Sequence, residues 1–312
     1  MRQRELGKTG LKVSELALGT WGLSGDGYGP VPETEQDAVI ERALAMGITL
    51  FETADSYAKG AMEKRLGERL TKEALVVTKL GTDLSASPTR KRFDPEYLRE
   101  ALERSRERLK RDSVDVVLLH NPSTQAIEKG AALETVAALV EKGLAKTYGV
   151  SVGSKEAAAA ALKKDVPVLE LAHNAFHSGE LKHVSTTVKE KGTGILARSV
   201  LSYGLLSGLW PHTKQFSADD HRSERWTPDE FRRRVGQLNA LRPSVAGAVT
   251  SIRAVALRYV LANELVSSAV LGPRRSAQLD QLVREAGKEP PYLNPDSLAA
   301  LERRLANVGI RS

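Results

Sequence analysis

The 312-residue chain alternates short apolar runs with amphipathic segments, eight times over. The runs are "SELALGTW" (14–21), "ITLFETA" (48–54), "ALVVTKL" (74–80), "VDVVLLH" (114–120), "AKTYGVSV" (145–152), "PVLELAHN" (167–174), "GILARSVL" (194–201) and "LVSSAVLG" (265–272). Each is rich in Val, Ile and Leu, as strands of a parallel sheet covered on both faces must be. Between them the apolar positions follow a helical period, as in "ETEQDAVIERALAMG" (33–47), "DPEYLREALERSRERLK" (94–110) and "SKEAAAAALKK" (154–164). Ser, Thr or Asp opens several of these segments, and Gly47 and Gly143 close two of them.

Eight strand–helix units predict an α/β fold, a closed (β/α)8 TIM barrel forming a single domain over 1–312. An open doubly wound sheet is the competing architecture, but no G-x-G-x-x-G follows the first run. Residues 4–14 read as a hairpin that plugs the bottom of the barrel. The segment 202–245, after the seventh run, is too long for an ordinary connection and reads as a lid or substrate loop. "RSAQLDQLVREAG" (275–287) is the last helix of the repeat, and an extra helix lies within 294–308.

Composition narrows the partners. No run of 18 apolar residues could span a bilayer, and "MRQRELGKTG" lacks the apolar centre of a signal peptide, so a cytoplasmic protein without a membrane partner is expected. There is no cysteine, which removes disulfides and thiolate metal sites. The net charge of +7 comes from 46 basic and 39 acidic residues spread along the chain. The densest basic stretch, 96–112, alternates with acids as a solvated helix face does, so no nucleic-acid partner is expected.

Chemistry in such a barrel belongs at the C-terminal ends of the strands. Those ends carry Thr20 and Trp21, then Glu52, Asp55 and Tyr57, then Lys79, His120, Ser151, His173, Asn174, Arg198 and Arg274. Strand alternation puts Glu52 on one face with Leu50, Lys79 with Val77, and His120 with Leu118. If that face is the interior, the Lys79 ammonium needs a carboxylate, and Glu52 one strand away is the partner. A tyrosine flanked by lysine and histidine is expected to have its pKa lowered from about 10, which suits Tyr57 to general-acid work.

With these residues in order the chain resembles the aldo-keto reductase family. "FETADSY" is similar to the family's F-D-T-A-x-x-Y, Lys79 in "VVTKL" to the lysine ending its third strand, and His120 in "LLH" to the histidine ending its fourth. "GLLSG" (204–208), "FSADDHRSERW" (216–226) and "GPRRSAQL" (272–279) resemble one branch of it. The resemblance implies an NADPH-dependent oxidoreductase that reduces a small aldehyde or ketone to an alcohol. Tyr57 would be the acid, Lys79 would lower its pKa, His120 would orient the carbonyl and Glu52 would hold Lys79. The cofactor would meet Thr20, Trp21, Ser151, Glu170 and Arg198 around the nicotinamide. Leu201, Gly204, Leu205 and Gly208 would cradle the pyrophosphate, and Gly272, Arg274 and Gln278 the adenosine end. Arg275 adds a charge that favours NADPH over NADH.

Four positions depart from the pattern. Glu52 stands where the family has aspartate, Val152 where asparagine is usual, Glu170 for glutamine and Leu282 for asparagine. These changes keep two further readings in view, a nicotinamide-binding sensor with little turnover and a barrel enzyme of other chemistry, such as a Schiff-base lyase on Lys79. Trp21, Tyr28 and Trp226 are candidates for an aromatic wall around the substrate, with a loop anchor as the other role for Trp226. His173 reads as a hydrogen-bonded pocket wall, and the histidines show no metal-ligand spacing.

Overall fold

A computed structural model describes residues 1–310. Eight parallel strands close on themselves, Leu16–Gly19, Leu50–Glu52, Leu75–Leu80, Val114–His120, Ala145–Ser151, Val168–Ala172, Gly194–Arg198 and Val266–Leu271. Each lies inside one of the eight apolar runs, and the closed ring leaves no strand edge unpaired. The main covering helices are Glu33–Ala45, Ala61–Arg69, Pro95–Leu109, Ala131–Glu141, Lys155–Lys163, Gly179–Lys191, Ile252–Leu261 and Ser276–Ala286.

Local chemistry accounts for the helix boundaries. Asp94 accepts a hydrogen bond from the Tyr97 amide (3.0 Å) and Pro95 opens the first turn, so the helix Pro95–Leu109 starts where its sequence says. It buries Leu98, Leu102 and Leu109, while Arg104–Glu100 and Arg106–Glu103 pair along the outer side. Two arginines of the basic stretch thus pair with acids of their own helix.

The core has two parts. Between strands and helices lies a continuous apolar shell that includes Phe51, Leu80 and Leu98. Inside the barrel a smaller cluster joins Leu50, Val77, Leu118 and Leu196 to Leu6 and Val13 of the N-terminal hairpin, Gln3–Glu5 and Lys12–Ser14. Burying each such side chain contributes about 1.5–3 kcal/mol. The hairpin therefore plugs the barrel at the end where the strands begin. Gly7 makes the close approach possible, with φ of 54° and an added Cβ placed 2.3 Å from the Gly194 nitrogen.

At the opposite end, residues 202–245 form an arch that contains the helix Pro228–Gln237, capped reciprocally by Thr227 and Glu230. The arch reaches the loop after the first strand. Tyr28 and Asp220 form an isolated antiparallel bridge, and the His221 amide donates to the Gly27 carbonyl (3.0 Å). The extra helix, Pro295–Asn307, packs behind it, where Arg304 donates to the Ala240 carbonyl (3.0 Å). Among the described residues no helix is long and apolar enough to cross a membrane.

Candidate active site

Because Leu50, Val77 and Leu118 point into the barrel, the period of two sends Glu52, Lys79 and His120 to the same interior face, at its mouth. Register sets their neighbours. Gly19 lies opposite Glu52, His120 opposite Ser151, and Ser151 opposite Glu170. Lys79 is 1 % exposed, in direct contact with the Glu52 carboxylate, and its ammonium donates to the Thr53 carbonyl (3.0 Å). The Glu170 carboxylate lies 3.7 Å away on the other side. Glutamate at position 52 therefore does reach the lysine. Burial draws the Lys79 pKa down toward about 8 and Glu170 opposes it; contact with Glu52 opposes it further, so the side chain is held as ammonium near neutral pH.

Tyr57 opens the short turn Tyr57–Gly60, in which Ala58 (φ 48°) and Lys59 (φ 54°) are both left-handed. An Asp26 oxygen accepts from the Ala58 amide (2.7 Å), which ties this turn to the loop after the first strand. The Lys79 ammonium sits 5.0 Å from the Tyr57 ring centroid, and the His120 ring centre 6.1 Å from it. The expected lowering of the Tyr57 pKa is not what the arrangement gives. Burial and the Glu170 charge push the phenol above its ordinary value, with Arg198 opposing. The Lys79 charge that was to lower it is committed to two carboxylates. His120 is kept neutral by burial and by Lys79, Lys91 and Arg198, and its Nδ1 has no hydrogen-bond partner.

These groups line one end of a 570 Å³ cavity that runs beneath the arch to the start of the helix Ser276–Ala286. Trp21, Ser151, Glu170, Arg198, Leu201 and Gly204 lie along it, and Gly272, Arg274 and Gln278 line its far end. Thr20, Leu205 and Gly208 do not reach it. The Thr20 side chain is fully buried and its amide donates to the Glu52 carbonyl, Leu205 is part of the apolar shell, and a Cβ on Gly208 would meet Ile252. Arg198 donates to the Val152 carbonyl (2.8 Å), so residue 152 contributes its backbone where its side chain has nothing to offer.

The far end is already partly satisfied. Arg274 donates to the carbonyls of Gly29 (2.8 Å) and Pro30 (3.0 Å), and Glu35 accepts from the Ser276 amide (2.7 Å) at the helix start. Arg275 is exposed beside it.

Other expectations separate in space. Trp21 and Tyr28 line the cavity, whereas Trp226 packs on Phe216 and Phe231 as a loop anchor. His173 is neither pocket wall nor hydrogen-bonded, since it is buried, stacked on Tyr259 (5.7 Å), and both ring nitrogens lack partners. Burial lowers its pKa to about 4. Asp55 is buried off the cavity, and burial together with the Glu63 charge raises it to about 7. No group of His, Asp and Glu able to hold a metal occurs among the described residues. Tyr203, Trp210 and Arg222 line the cavity without having been singled out. Arg222 lies over the rings of Tyr28 (4.5 Å) and Trp210 (5.2 Å), and the aromatics crowding one arginine within an otherwise polar insertion were the available signal.

Comparison with known proteins bears on the fold and the family. The glycerol dehydrogenase AKR11B4 from Gluconobacter oxydans superposes with a TM-score of 0.86 at 24 % identity, over 99 % of this chain and 97 % of its own. The holo form of the aldo-keto reductase AKR11C1 from Bacillus halodurans gives 0.81 at 22 % identity, over 97 % and 96 %. At these identities the likeness concerns the fold. The family model described as "Aldo/keto reductase family" matches residues 15–302, and on that match the chain belongs to the aldo/keto reductase family of oxidoreductases.

Proposed function

We propose that the protein is an NADP(H)-dependent oxidoreductase that reduces an aldehyde or ketone to its alcohol, with Tyr57 as the proton donor. The observation that carries this reading is convergence. Glu52, Tyr57, Lys79 and His120, from separate strands and a loop, meet at one end of a cavity whose other end carries Arg274 and Gln278. The donor set suits a dinucleotide. Two Glu170 oxygens without hydrogen-bond partners sit at the mouth, and open space lies beside the backbone of Gly272.

A nicotinamide cofactor held there would supply the hydride. The chain's own groups handle the oxygen. The neutral His120 ring can donate one N–H toward a carbonyl oxygen, and the protonated Tyr57 hydroxyl passes its proton to that oxygen as charge develops. Lys79, 5.0 Å from the Tyr57 ring, offsets only part of the charge on the phenolate left behind because two carboxylates share it, and Glu52 keeps the ammonium in place. Arg198, held by the Val152 carbonyl, lines the cavity, where a planar guanidinium suits stacking on a flat ring. Arg274 and Arg275 favour a phosphate at the adenosine end, where it competes with Glu35 for the Ser276 amide.

A Schiff-base role for Lys79 fits less well. It requires a neutral amine, and two carboxylates favour the ammonium. The test is NADPH oxidation across aldehydes, ketones and quinones with wild type and Tyr57→Phe. Wild-type turnover that falls about 10²–10⁴-fold in a variant of unchanged circular dichroism is the expected outcome. Absence of turnover across the panel, or a fully active Tyr57→Phe, overturns the reading.

A further inference from the structure

We propose that Glu170 makes the site bind the oxidised, cationic nicotinamide in preference to the reduced, neutral one, and so makes the bound reduced cofactor a stronger hydride donor. This rests on the nicotinamide reading of the cavity given above. The side chain is 0 % exposed, lines the cavity, and neither carboxylate oxygen has a hydrogen-bond partner. Its strand position is fixed by pairing with Ser151 on one side and Leu196 on the other, so the carboxylate cannot simply turn out to water.

The nearby cations are already engaged. Lys79 is 3.7 Å away, but that ammonium touches Glu52 and donates to the Thr53 carbonyl. Arg198 donates to the Val152 carbonyl (2.8 Å) and lies beside the Ser199 hydroxyl (3.5 Å). Those are neutral oxygens, so Arg198 keeps its charge, but among the described residues it forms no ion pair with Glu170. The contact cluster of Glu52, Lys79 and Glu170 carries one surplus negative charge, in surroundings where unscreened charge is costly. A ligand that brings positive charge to the Glu170 side removes that cost. A neutral carbonyl compound cannot, and an amide N–H donor common to both cofactor forms does not distinguish them. The charge on the nicotinamide ring does. Loss of hydride leaves that ring positive, so the same carboxylate favours the transfer itself, and by linkage tighter binding of the oxidised form lowers the potential of the bound couple.

The experiment is a titration of wild type, Glu170→Gln and Glu170→Met with NADP+ and with NADPH, without carbonyl substrate, followed by calorimetry and by fluorescence of Trp21 and Trp210, which line the cavity. Wild type is expected to bind the oxidised form at least as tightly as the reduced form. In both variants the ratio of the oxidised to the reduced Kd rises about tenfold, which for a two-electron couple is a shift of about 30 mV. A ratio unchanged in folded variants, with both forms still binding, overturns the inference and leaves the proposed function standing. A wild type that binds NADPH more than about tenfold tighter than NADP+ overturns it without reference to any variant. A wild type that binds neither form removes the cofactor reading and the inference with it.

Discussion

Glu63 and Glu170 are both fully buried glutamates beside a cation, and they could hardly be treated more differently by their surroundings. Glu63, on the helix Ala61–Arg69 outside the barrel wall, has both oxygens occupied. One accepts from the Thr78 hydroxyl (2.5 Å), the other from Arg108 (2.7 Å). Glu170, inside the mouth, has neither oxygen hydrogen-bonded and shares its cation with Glu52. A satisfied buried charge network holds elements together, and an unsatisfied one is held by them. The contrast separates a structural acid from a candidate functional one more sharply than burial or residue type does.

The same substitution at the two sites should break in opposite directions. Glu63→Leu leaves the Arg108 guanidinium and the Thr78 hydroxyl without their acceptor. Because Arg108 keeps some solvent contact, a loss of about 2–3 kcal/mol is expected, below the range for a wholly buried pair. Chemical denaturation measures it, and a midpoint equal to wild type would mean the network contributes nothing.

Asp55 sharpens the comparison, since Glu63 is the charge that adds to its burial. Its folded pKa of about 7 lies above the ordinary 3.8, so the folded state holds the proton that the unfolded chain gives up. The stability this provides is complete below pH 3.8 and is lost as pH rises toward 7. Asp55→Asn should therefore gain on wild type by about 1.4 kcal/mol per pH unit between those limits, read from denaturation midpoints across the pH range. Parallel pH profiles would show that Asp55 ionises as freely folded as unfolded. The smallest effect is expected at the mouth. Glu170→Leu removes two unpartnered oxygens and should raise stability by about 1 kcal/mol in the absence of cofactor. A clear loss instead would mean that Lys79 depends on both of its carboxylates.

The barrel and its mouth were legible because doubly covered strands carry an unbroken apolar signal, and alternation from Leu50, Val77 and Leu118 leads directly to Glu52, Lys79 and His120. Depth was not legible. Thr20 and His173 stand at strand ends as Trp21 and Arg198 do, yet the first two turn into protein and the last two line the cavity. A period of two gives a face but not how far a side chain stands from open space. The Tyr57 environment escaped for a related reason, because whether a lysine charge is free or already shared depends on a third strand, here the one bearing Glu170. Asp26 lies in a loop and Arg222 in the single 3-10 turn His221–Glu224, too short for any period, and only the folded chain brings them to Ala58 and Tyr28.

The N-terminal hairpin has a consequence for traffic. With Leu6 and Val13 filling the end where the strands begin, the described residues leave the barrel's mouth as its doorway, and the arch is bridged across it from Asp220 to Tyr28. Molecules that use this interior must come and go in sequence by the same route, and whatever rests deepest, against Glu52 and Lys79, is the last to depart.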